Sequence, residues 1–142
     1  MIQTAFRIGA VIVAAAVLAC GSDSTEPRLA LEGNYTATQW VTTGGSGQTH
    51  QLDVGSTLNI TLNSNGTTTG HLHVAASGGN SALDADMAGT WTKSGNTVTF
   101  SQSADTFVRD MPFTVVPNGA NWALVGDHVF SGTQIQLTLT RA

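Results

Sequence analysis

Residues 57–63 alternate apolar and polar at every step, with Leu58, Ile60 and Leu62 on one side and threonine or asparagine on the other. Successive side chains of a strand point to opposite faces, so a strict two-residue period specifies a half-buried β-strand. A Ser64-Asn65-Gly66 turn follows, and residues 67–74 continue the pattern. A two-residue loop would set Leu58 against His73. A three-residue loop ending in a left-handed Gly66 pairs Leu58 with Leu72 and Thr57 with His73, which keeps apolar with apolar.

The same reasoning yields three more hairpins. One turns at Ser94-Gly95 and sets Trp91 opposite Val98 and Gly89 opposite Phe100. Another turns near Asn118-Gly119, with Phe113 facing Leu124 and Val115 facing Trp122. The last turns at Ser131-Gly132 and opposes His128, Gly126, Leu124 and Trp122 to Ile135, Leu137, Leu139 and Arg141. With a first strand from Gly33 to about Val41, the chain reads as eight strands and no helix-period segment. The abundance of Thr, Ser, Asn and Gly, with Lys and Glu scarce, agrees with that reading.

Eight antiparallel strands with one apolar face predict an all-β, up-and-down barrel, with a β-sandwich as the alternative. The polar face lies outside, whereas a membrane-spanning barrel has an apolar exterior. Turns at 64–66, 94–95 and 118–119 are tight, while the connections at 42–56, 75–84 and 103–110 are long. In a meander the long ones gather at one end and form a mouth. The Gly44-Gly45-Ser46-Gly47 run precedes no helix and reads as flexible loop rather than a phosphate site.

Ahead of this domain, an apolar run at 8–19 ends at Cys20, the one cysteine of the chain. A spanning helix needs about 20 apolar residues, so the run is a secretory h-region. Val17-Leu18-Ala19-Cys20 followed by Gly21-Ser22 resembles the lipobox of bacterial lipoproteins. The resemblance implies diacylglycerol on the Cys20 sulfur and cleavage before it. Residues 1–19 are then a signal peptide, 20–31 a lipidated tether and 32–142 the barrel domain. The implied location is the bacterial cell envelope, anchored to the outer membrane and facing periplasm or cell surface. Of five basic residues Arg7 precedes Cys20, leaving four against nine acidic ones and a net charge of −5. Such a domain has no footprint for nucleic acid and no polybasic patch for anionic lipid, so the acyl chains do the anchoring.

Gly33-Asn34-Tyr35 opening the first strand and Arg141 closing the last resemble the lipocalin-like (calycin) barrels. Those families carry Gly-x-Trp at the first strand and an Arg packed across that aromatic. The resemblance spans about residues 32–141 and implies a closed-end cluster of Tyr35, Trp122 and Arg141. It also implies binding of a small apolar ligand.

Chemistry candidates are few. His71-x-His73 has a spacing that metal sites use. Both face outward, however, beside Thr57 and Asn59, which are poor ligands, so two solvated histidines are expected and no metal. Asp84 and Asp86 are two apart and could share a face. His128 at the mouth, Arg109 and the inward Trp91 are the ligand-binding candidates, and Asp105, Arg109 and Asp110 form a solvated charge cluster at the mouth. No nucleophile elbow, phosphate-cradling loop or zinc-helix motif is present, and no cofactor is implied. The expected function is therefore non-catalytic: a lipid-anchored barrel holding a small apolar ligand, or a structural or protein-interaction lipoprotein with a filled core. The first requires the inward glycines Gly89 and Gly126 to leave a void.

Overall fold

A computed structural model describes residues 30–142; the apolar run, Cys20 and most of the expected tether lie outside the described residues. Ten strands and one short helix follow in order. They are β1 (Gly33–Gly44), β2 (Gly47–His50), β3 (Thr57–Leu62), β4 (Thr67–Val74), β5 (Leu83–Asp86), β6 (Gly89–Ser94) and β7 (Thr97–Gln102). Then come α1 (Phe107–Asp110), β8 (Phe113–Asn118), β9 (Asn121–Phe130) and β10 (Thr133–Arg141).

These elements make a closed, antiparallel, up-and-down barrel of eight staves. β2 and β3 pair with the same edge of β1, and β5 and β6 pair with β4 in one continuous register from His73↔Asp84 to Thr67↔Thr90. Pairing of β1 with β10, from Tyr35↔Arg141 to Thr43↔Gln134, shuts the ring. A sandwich would leave that edge open. Much of the exterior is polar, with Thr38 facing Thr140 at 2.7 Å and Thr92 facing Thr99 at 2.9 Å.

The turn chemistry corrects two of the four registers. The first hairpin pairs Leu58 with Leu72 as expected, and the last pairs His128 with Ile135. In β6–β7, however, Trp91 faces Phe100 and Gly89 faces Gln102, and in β8–β9 Val115 faces Leu124 and Pro117 faces Trp122. The turns are Gly95-Asn96 and Gly119-Ala120, with φ of 57° and 60° at the glycines. A type II′ turn needs its glycine at the first central position, whereas the registers expected from the sequence place it second. Both slips are of two residues, so every side chain keeps its face.

Three segments read as loops are structured. Gly44 pairs with Gly47, making the glycine run a tight hairpin turn instead of a flexible loop. Residues 51–56 are tied to the rim by a buried network. Gln51 Nε2 donates to Thr42 Oγ1, Ser56 Oγ donates to Gln51 Oε1, and the Ala75 amide donates to Ser56 Oγ. α1 lies where β7 and β8 part, since those strands share only Thr97↔Thr114 and Val98↔Phe113. Leu31, expected in the tether, is fully buried, and its carbonyl accepts the Tyr35 hydroxyl at 2.9 Å.

Candidate functional site

The loop-rich end is filled. A bulge at Thr38 breaks the alternation of β1 between Ala37 and Gln39 and turns Trp40 inward. Trp40 then meets Phe107 of α1, with ring centroids 5.4 Å apart. Phe107, Val108 and Met111 are all buried beside it. The two glycines expected to leave room do not. A Cβ on Gly126 would overlap Met111 Sδ, and one on Gly89 would overlap the Ser101 carbonyl. Among the described residues Trp40 Nε1, Gln102 Oε1 and Thr106 Oγ1 are buried at this end without a hydrogen-bond partner.

The three ligand-binding candidates do not converge. Trp91 belongs to the opposite end, where its amide and Nε1 donate to the carbonyls of Gly66 and Asn63, each at 2.9 Å. His128 is half-buried on β9 across from Ile135. Arg109 sits on the outside of α1, ion-paired with Asp105 and reaching Asp110 at 3.5 Å. At the closed end Tyr35 and Arg141 do face each other. The Arg141 guanidinium lies over Gly33 and donates to the Ala30 carbonyl at 2.8 Å. Trp122 is half-buried opposite Pro117. Among the described residues the aromatic contacts are Trp40–Phe107 and Phe100–Phe113, and none joins Trp122 to Arg141.

A different group is assembled on the outer wall. β5 brings Asp84 opposite His73 and Asp86 opposite His71, so two pairs read separately become one two-by-two block. Asp84 Oδ1 lies 2.8 Å from His73 Nδ1 and 3.1 Å from His71 Nε2. His71 Nδ1 lies 3.6 Å from Asp86 Oδ1. The hydrogen bonds from His73 and then His71 hold the Asp84 carboxyl below its ordinary value of 3.8. The block is open to solvent, with the Asp84 side chain 58% and His71 47% exposed. The link to β5 was missed because residues 75–84 carry no alternation and read as loop. A four-residue strand leaves only Asp-x-Asp facing His-x-His as its signal.

A scan against models of known protein families, a search of curated proteins and a search of solved structures each found no match.

Proposed function

We propose that the chain is a bacterial envelope lipoprotein, anchored through Cys20, whose filled barrel is a non-catalytic scaffold presenting its loop-rich end to a protein partner. The observation that carries this reading is the plug of Trp40, Phe107, Val108 and Met111 across the mouth. An apolar guest there would have to displace it. β1 starts at the end of the tight turns, so a tether from Cys20 attaches there and holds the long connections away from the membrane.

The lipocalin-like alternative, a small apolar ligand inside the barrel, gains one point of support. α1 is four residues long, and Thr106 makes no side-chain cap bond to it. With no cap bond to hold it, this lid swings out once its apolar packing is broken. Titrating the lipidated chain with fatty acids and retinoids decides between the two, because Trp40 lies in the plug and reports on its displacement. The scaffold reading expects flat tryptophan fluorescence; saturable quenching would establish the ligand reading instead. Anchoring is checked separately by metabolic labelling with palmitate, which Cys20→Ala should abolish.

A further inference from the structure

We propose that His71, His73 and Asp84 bind a divalent transition-metal ion of the zinc class on the outer wall, with Asp86 orienting His71 from behind. Among the described residues no three such side chains stand around a common point as the chain lies. The Asp84 oxygen itself sits between the two imidazole nitrogens, in hydrogen-bond contact with both. Protons and metal ions compete for those same lone pairs, however, so a hydrogen-bonded set of this kind is also a ligand set.

The spacing supports the assignment. Around zinc, ligand atoms at about 2.0–2.2 Å in a tetrahedron lie about 3.3 Å from one another. The two nitrogens lie 2.8 and 3.1 Å from the Asp84 oxygen, close to such an edge. The ion would take the place that the Asp84 oxygen now holds between the two nitrogens, so the exposed carboxylate has to turn aside to admit it. His71 also has its other nitrogen 3.6 Å from Asp86. Metal-bound histidines characteristically direct their second ring nitrogen to a carboxylate, which fixes tautomer and ring orientation.

Charge and ligand type select the ion. With both imidazoles neutral the block carries two carboxylate charges, which balance a divalent cation. Two imidazoles and a carboxylate suit zinc, copper and nickel, while magnesium and calcium prefer all-oxygen shells. The fourth position faces water. Backbone pairing of β4 with β5 holds the four side chains at adjacent cross-strand positions, so little has to be ordered on binding.

The test is calorimetric titration of the full lipidated chain with Zn²⁺. One ion per chain is expected, uncompeted by excess Mg²⁺. His71→Ala, His73→Ala and Asp84→Asn should each weaken it at least tenfold. Asp86→Asn should cost about 10–100-fold, as loss of an outer-shell partner does. His50→Ala and His128→Ala should change nothing. Absence of saturable uptake, or uptake undiminished in the double variant His71→Ala/His73→Ala, overturns the assignment. Should variants fail to fold, the unaltered chain still decides: Zn²⁺ should shield His71 and His73, but not His50, from diethyl pyrocarbonate. Equal modification of all three with and without zinc rejects the site.

Discussion

Tyr35 is the one tyrosine of the chain, so its titration can be followed by absorbance without assignment. Burial pushes its hydroxyl above the ordinary value of 10.0, against the opposing pull of Arg141. The folded chain therefore keeps this proton to higher pH than the unfolded chain does. The contribution to stability is complete below the ordinary value and is lost as pH rises from there through the folded value. Tyr35→Phe should abolish that alkaline decline. At neutral pH it should cost about 1–3 kcal/mol, because the Leu31 carbonyl loses its partner. Denaturant unfolding at two pH values measures both effects. Gly126 offers a second local test, since Met111 occupies the space a methyl group would need. Gly126→Ala should destabilise by about 1–3 kcal/mol through overpacking. Adding Met111→Ala should recover part of that loss, a coupling that a double-mutant cycle reads directly.

Among the elements, α1 is the least secured. It bridges the stretch where β7 and β8 do not pair, and apolar packing of Phe107 and Val108 takes the place of a ladder. Amides in residues 103–112 should exchange with solvent well before those of β9 and β10, which are paired along both edges for much of their length. Phe107→Ala should cost toward the lower end of the about 3–5 kcal/mol typical of buried aromatics, since the ring is near the rim. The elements also differ in how plainly the sequence announced them. Long alternating runs such as 57–62 and 133–141 declare themselves, because one strand face is buried along their whole length. Trp40 was hidden by the bulge at Thr38, which reverses parity in mid-strand. α1 and β5 were hidden by being four residues each, too short for any period to emerge. The His71, His73, Asp84 and Asp86 block was invisible for that reason, although each half of it could be seen.

On the scale of the whole molecule, inside and outside could be read from the sequence because a barrel wall tolerates register slips of two without exchanging faces. Whether the inside was full could not be. That depends on Met111 reaching Gly126 and on Phe107 reaching Trp40, contacts between segments with no local relation. Closure of the wall converges on Arg141, which faces Tyr35, covers Gly33 and holds the Ala30 carbonyl. Arg141→Ala should therefore destabilise by clearly more than the ~0.5 kcal/mol usual for surface changes, measured by chemical unfolding. A neutral result would mean that β1–β10 pairing alone secures the seam.

That seam also has a consequence in time. Arg141 and Ala30 are 111 residues apart, and Thr38 and Thr140 are 102 apart. Contacts so distant form late in folding, after the loop entropy between them has been overcome. β10 supplies the closing stave, so the polypeptide carries an exposed strand edge until that strand is in place. Until that moment the wall is a curled sheet with two free borders, and the finished cylinder is a property of the completed chain alone.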